Sequence, residues 1–131
     1  MAIFLKSLIT IYSSDINKAS YFYGRILGLE ESYRFPTDSS TPEHIEFNVG
    51  GTTIAVSSEA GLRSHGMPPP TPGHPFEIGF KTTDLKSVIE ELRTAGVVII
   101  KEPAVSSAGN LYAYISDTDG NWLSLYQNLK N

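Results

Sequence analysis

Cysteine is absent from this 131-residue sequence, which removes disulfides, thiolate metal sites and cysteine nucleophiles together. Basic charge is sparse: ten Lys and Arg stand against fourteen Asp and Glu, giving a net charge of −4. They form no basic stripe, so composition argues against a nucleic-acid partner. No apolar run approaches the ~20 residues of a membrane span, so no membrane partner is expected. The opening Met1-Ala2-Ile3-Phe4-Leu5-Lys6 has neither a basic leader nor a cleavage site, so no signal peptide is expected and the cytoplasm is the expected compartment. What remains is 40% hydrophobic and 18% charged, ordinary for a globular chain. An isolated half would be only marginally stable, so residues 1–131 read as a single domain.

What the sequence does contain is a turn that occurs twice. Asp119-Gly120, with Asn121 behind it, is the strongest hairpin signal; Gly supplies the positive φ of a tight turn and Asp can bond its own backbone. Gly50-Gly51 is its earlier copy. The offset from Gly51 to Gly120 also separates Asp15 from Asp84. The chain therefore reads as two copies of one unit: module 1 over about 1–57, a linker over about 58–73, and module 2 over about 74–131.

The order of elements agrees. Residues 3–12 read as a strand with Ile9 and Ile11 on one face and Leu8, Thr10 and Tyr12 on the other. Ser13-Ser14-Asp15 then supplies helix N-cap chemistry. Ala19, Phe22, Tyr23, Ile26 and Leu27 form one helical face, which Gly28 ends. Strands follow over 31–35, 43–49 and 52–57. The segment from Ser58 through Met67-Pro68-Pro69-Pro70 to Gly73 reads as a proline-stiffened linker. Module 2 repeats the sequence: a strand around Phe76–Phe80, a helix capped by Asp84 with Leu85, Val88, Ile89 and Leu92 on its apolar face, then strands over 97–100, 111–116 and 122–126, with a loop over 102–109. Each module is β-α-β-β-β. The repeat slips by one residue at Gly28/Gly96 and at the third strands.

Several segments carry a resemblance: Ser14-Asp15 with Tyr21-Phe22-Tyr23 and Leu27-Gly28-Leu29, then Asp84-Leu85 and Ala95-Gly96-Val97, then Asp117-Thr118-Asp119-Gly120-Asn121. Together they resemble the glyoxalase/bleomycin-resistance/dioxygenase superfamily, also called vicinal oxygen chelate proteins. The resemblance implies an α+β fold in which two βαβββ modules form a curled mixed β-sheet with helices on the convex face. The opposite strand faces would then line a cavity. It also implies metal-ligand positions in metal-dependent members, one on the first strand of each module and one on the last. Those positions here hold Leu8 and Ala55 in module 1, and Glu77 and Ser124 in module 2. Leu and Ala have no donor atoms, a Ser hydroxyl is a poor ligand, and one carboxylate does not hold a transition metal. No metal and no other cofactor is therefore expected.

The candidate site residues follow from strand faces. His44 and Glu46 share a face at i and i+2, and with Glu77 they are the candidate catalytic groups. Glu77 reads either as a structural carboxylate, paired with Lys81 or a tyrosine hydroxyl, or as a general base in a largely buried strand. Tyr12, Tyr33, Tyr112, Tyr114, Trp122 and Tyr126 are expected to face the cavity, where their rings suit stacking on a flat organic molecule. Leu8, Ala55 and Ser124 complete the expected ligand-binding set. His65 and His74 read as exposed loop residues.

Two functions compete. The first is a metal-free binding protein for an aromatic or drug-like small molecule, similar to the antibiotic-resistance proteins of the superfamily. The second is a lyase, isomerase or dioxygenase with a non-standard metal site or a Glu general base. A structural module without a ligand is a third reading. A homodimer is expected, because open sheets leave edges that need cover.

Overall fold

Ser13-Ser14-Asp15 and Thr82-Thr83-Asp84 each turn a strand into a helix in the same way. The Asp15 carboxylate accepts the Lys18 N–H at 3.1 Å and that of Asp84 accepts the Ser87 N–H at 3.2 Å, so each satisfies a donor the first helical turn leaves open. These caps belong to two separate units in a computed structural model that describes residues 3–129. The boundary falls after Thr71.

Module 1 runs β1 (Ile9–Ser13), α1 (Ile16–Tyr21), a π-helical turn (Phe22–Ile26), β2 (Glu30–Phe35), β3 (His44–Val49) and β4 (Thr52–Ser58). Its sheet has the order β1-β4-β3-β2, with β1 parallel to β4 and the other pairs antiparallel. Alternation puts Ile11, Ile45, Phe47, Ile54 and Val56 on one face, where all are buried with Ile16, Ala19, Phe22 and Tyr23. The Tyr23 and Phe47 rings lie 6.3 Å apart. A Cβ on Gly24 would stand 3.3 Å from the Phe47 ring, so glycine lets the turn sit close to the sheet.

Module 2 repeats the plan with β5 (Ile78–Lys81), α3 (Leu85–Thr94), β6 (Val98–Val105), β7 (Asn110–Ser116) and β8 (Trp122–Asn128). The sheet order β5-β8-β7-β6 matches that of module 1 strand for strand. Leu85, Ile89 and Leu92 of α3 are buried with Ile78, Leu111, Ala113, Ile115, Leu123 and Leu125 of the sheet. The α+β class and the βαβββ modules are therefore present, as two open four-stranded mixed sheets.

The one-residue slip in the repeat has a physical cause. Between Asp15 and Gly28 the helix takes in a π turn, with the Leu27 N–H donating to the Phe22 carbonyl at 2.9 Å, whereas α3 runs from its cap as regular α-helix. A π turn absorbs one extra residue in a helix. The slip is undone at the hairpins, because the turn between β7 and β8 is longer than the Gly50-Gly51 turn between β3 and β4.

Four expectations need correction. Residues 3–8 are not strand: Ile3, Phe4 and Leu5 stand exposed, and β1 begins only where parallel pairing to β4 starts at Ile9. The linker begins with a short helix, α2 (Glu59–Ser64), whose first turn is capped by the Ser58 hydroxyl accepting the Gly61 N–H at 2.9 Å. β6 continues through Glu102 and Pro103, which had read as loop; it accommodates them by register shifts between Ile99 and Ala104. Glu77 is not in a buried strand but exposed, just before β5.

Candidate functional site

Strand pairing decides which side chains meet on the faces turned away from the helices. In module 1 it aligns two rows across the sheet, Thr10-Ala55-Glu46-Tyr33 and Tyr12-Ser57-His44-Phe35. Within them, His44 Nδ1 lies 2.9 Å from Ser57 Oγ and His44 Nε2 lies 2.9 Å from Glu46 Oε2. The Tyr33 ring meets the His44 ring edge-on at 6.2 Å. Beside His44 and Ser57 opens a pocket of about 290 Å³, lined also by Tyr33, Phe35, Leu62 and His65.

The sequence places His44 and Glu46 together; Ser57 it leaves unassigned, and His65, which it reads as an exposed loop residue, is exposed at the C-terminal cap of α2. The signal for Ser57 was available, since His44 and Ser57 are equidistant from the Gly50-Gly51 turn and antiparallel pairing about a two-residue turn makes such positions neighbours. No sequence signal pointed to His65, which α2 carries into the pocket wall.

In module 2 the corresponding rows are Gly79-Ser124-Tyr114-Lys101 and Lys81-Tyr126-Tyr112-Ala104. Tyr112 and Tyr114 meet edge-on at 6.0 Å, and Lys101 Nζ stands 5.8 Å from the centre of the Tyr112 ring. A shallow groove of about 700 Å³ runs over Tyr112, Tyr114, Ser124 and Tyr126, with Glu77 and Lys101 also in its lining. A Cβ on Gly79 would approach Ser124 Oγ to 3.1 Å, so glycine there leaves the serine its place. Trp122 lies at the far end of β8, with one face already occupied: His74 stacks on it at 3.9 Å and holds the Gly120 carbonyl with Nε2 at 2.9 Å. His74 is the exposed loop residue that the sequence suggested, and the ring stack and the hydrogen bond hold it in place.

The family-type metal positions do not fit a metal. Leu8 lies before β1 and has no donor, and Ala55 is fully buried between its sheet neighbours Thr10 and Glu46. Glu77 is exposed, and Ser124 offers one hydroxyl. His44 has its ring nitrogens against Ser57 and Glu46, and one imidazole lone pair does not hold a cation by itself. Among the described residues no group of three His, Asp or Glu side chains converges. None of their helices is long and apolar enough to cross a membrane.

The hairpin that leads into β8 is held by an acid other than the one the turn signal singled out. Asp117, buried, accepts the N–H groups of Asp119 and Asn121 at 2.9 and 2.8 Å and the Asn121 side-chain amide at 2.9 Å. Gly120, with φ +84°, closes the loop these bonds define.

Comparison with known proteins agrees with this architecture. The family model "Glyoxalase/Bleomycin resistance protein/Dioxygenase superfamily" matches residues 7–125. No curated protein sequence matches. Among solved structures, a hypothetical protein from S. aureus is similar with a TM-score of 0.78 and 19% identity, over 96% of this chain and 95% of that one. A glyoxalase/bleomycin resistance protein/dioxygenase family enzyme from Burkholderia phytofirmans PsJN gives 0.77 and 19%, over 94% and 98%. A virulence protein from Salmonella typhimurium gives 0.73 and 25%, over 98% and 100%. The chain belongs to the glyoxalase/bleomycin resistance protein/dioxygenase superfamily.

Proposed function

We propose that this superfamily member is a binding protein for a flat aromatic small molecule, held without a divalent metal on the open face of module 2. The observation that carries the reading is the groove of about 700 Å³ over Tyr112, Tyr114 and Tyr126. Its size suits a drug-sized ligand, and phenol rings offer large rigid surfaces with a polar edge. Lys101 offers a partner to an acidic substituent on the ligand, and Glu77, also in the lining, offers one to a basic or hydrogen-bond-donating group. Trp122, with one face against His74, contributes its other face at most. Capture of a drug-like compound, and hence resistance to it, is the role that such a groove supports, in a cytoplasmic protein.

The working form we infer is a homodimer. β1 and β2 are edges of one sheet and β5 and β6 of the other, and edges of this kind are usually covered. The exposed Ile3, Phe4 and Leu5 supply apolar surface for such cover. A sedimentation mass of 14.3 kDa at micromolar concentration would contradict it.

Binding is tested with 8-anilinonaphthalene-1-sulfonate, a flat aromatic anion, by fluorescence titration of the folded protein. We expect saturable binding, unaltered by a chelator and weakened roughly tenfold or more by Tyr112→Ala, in line with the ~2 kcal/mol an aromatic anchor supplies. Binding that is unsaturable, or unchanged in Tyr112→Ala at an unchanged melting temperature, would overturn the reading. The enzyme reading, with a base, rests on the module 1 face, where His44 and Glu46 meet Ser57.

A further inference from the structure

A serine hydroxyl, an imidazole and a carboxylate in one hydrogen-bonded line are what nucleophilic catalysis needs: a nucleophile, a base to take its proton, and a group to orient the base. Module 1 holds such a line in Ser57, His44 and Glu46. We propose that Ser57 is a nucleophile that accepts acyl groups from activated esters, with His44 as its base and Glu46 as the residue that positions His44.

The protonation pattern follows from the partners. An ionised carboxylate only accepts, so His44 Nε2 carries the ring proton toward Glu46 and Nδ1 keeps its lone pair for the Ser57 hydroxyl. Two sheet constraints fix the geometry. His44 and Ser57 are directly paired between β3 and β4, and His44 and Glu46 are two apart on one strand. Sites built on strands are held more tightly than sites on loops.

The neighbouring serine shows the contrast. Ser58 Oγ is spent accepting the Gly61 N–H at 2.9 Å in the cap of α2, whereas Ser57 Oγ faces the pocket of about 290 Å³ beside Tyr33, Phe35 and Leu62. That largely apolar wall suits the acyl or aryl portion of an ester rather than a charged substrate.

The reaction balances with water alone. Ser57 Oγ attacks the ester carbonyl carbon while its proton passes to His44 Nδ1. The tetrahedral adduct collapses, the carbon–oxygen bond to the leaving alcohol or phenol breaks, and His44 returns the proton to that oxygen. Water, deprotonated by the same nitrogen, then attacks the acyl carbon; the bond to Ser57 Oγ breaks, His44 returns the proton to Oγ, and the carboxylic acid is released. The N–H groups of Ser58 and Gly61, beside the pocket, already donate to the Glu43 carbonyl and to Ser58 Oγ, so they do not hold the developing oxyanion. Oxyanion donors matter greatly to rate, so both steps are slow. With an activated ester, whose phenolate leaves far more readily than the serine alkoxide, acylation outruns deacylation and acyl-Ser57 accumulates.

The test uses p-nitrophenyl acetate with the full-length protein. The expected result is a burst of p-nitrophenolate close to one equivalent, with peptide mass spectrometry placing the acetyl group on Ser57. Ser57→Ala abolishes the burst, and Ser57→Cys, which keeps a nucleophile in place, retains it. His44→Ala slows acylation on the order of 10²-fold or more, the usual worth of a general base. Glu46→Gln slows it less and displaces the downfield imidazole N–H proton resonance of His44, a change that a purely structural role would not produce. Acetyl groups on lysine or tyrosine with Ser57 unmodified would overturn the proposal. So would acylation of Ser57 at an unchanged rate in His44→Ala. Neither outcome touches the aromatic groove of module 2, whose probe and variants are different.

Discussion

The two modules share a topology and almost nothing of what they show on their open faces. Where module 1 places Ser57, His44 and Glu46, the same sheet positions in module 2 hold Tyr126, Tyr112 and Tyr114. Where module 1 has Tyr33 opposite its carboxylate, module 2 has Lys101 opposite a tyrosine. The faces that pack on helices keep one character, being apolar in both: Ile, Phe and Val in module 1, and Ile, Leu and Ala in module 2. Burial constrains one face of each strand and leaves the other open to change, because alternation makes the two faces independent. One module presents a hydrogen-bonded serine–histidine–glutamate line and the other an aromatic groove.

The modules also close their last hairpins differently, which predicts unequal sensitivity. Asp117→Ala removes the acceptor for two backbone N–H groups and a side-chain amide in a buried setting. Leaving such donors unmatched costs about 1–3 kcal/mol each where water cannot replace the acid. We therefore expect a loss of roughly 3 kcal/mol in urea denaturation, the largest stability effect of these variants. No single side chain holds the Gly50-Gly51 turn of module 1 in this way among the described residues. A loss under about 1 kcal/mol would mean that the hub is dispensable.

Next in size is Gly24→Ala. Its Cβ must displace the Phe47 ring from 3.3 Å, and overpacking of this kind costs typically ~1–3 kcal/mol. The change probes the π turn, which α3 lacks, and thermal melting reads it. Gly120→Val is expected to cost roughly 1–2 kcal/mol through backbone strain at φ +84° alone, since a Cβ there meets nothing within 4 Å. It leaves 8-anilinonaphthalene-1-sulfonate affinity unchanged; a selective loss of binding at constant melting temperature would contradict a structural role.

The smallest effect concerns a feature the modules share. Each carries a two-pronged arginine–glutamate contact: Arg34 donates to Glu31 at 2.8 and 2.9 Å, and Arg93 to Glu102 at 3.0 and 2.6 Å. Hydrogen bonds from Arg34 hold the Glu31 carboxyl below its ordinary value. A depressed carboxyl contributes stability that is present above the unfolded-state value and lost as pH falls through the folded one. Glu31→Gln should therefore lower stability near neutral pH by well under about 1 kcal/mol, because the pair is solvent-screened, and the difference from wild type should vanish in acid. A difference that grows on acidification would reverse the sign of the argument.

Much of this was legible in the residues. Asp15 and Asp84 mark both helix starts, and the paired turns mark the duplication. Alternation marked which residues of β3, β7 and β8 are buried, whereas in β4 it marked Ile54 and Val56 but missed Thr53 and Ala55, which are buried as well. Non-local geometry was harder to read. The proline-rich segment hid α2 although Ser58-Glu59 had cap chemistry, and Pro103 looked like a loop because the bulges that admit it into β6 depend on β7. Glu77 read as buried from its apolar neighbours Phe76 and Ile78, but β5 starts one residue later and Phe76 is itself exposed. Ser57 escaped notice because a lone serine has no pattern until pairing about the Gly50-Gly51 turn brings it to His44.

What both faces share is a donor set that does not suit the metal positions of the family, and that claim has a direct test. Protein purified without an affinity tag is analysed for its elements, then melted in the presence of Zn²⁺, Ni²⁺, Fe²⁺ or Mn²⁺. With Leu8, Ala55, Glu77 and Ser124 at those positions, metal should be far below one equivalent per chain and the melting temperature should not move. Near-stoichiometric metal, or a stabilisation by one of these ions that disappears in Glu77→Ala, would contradict the account.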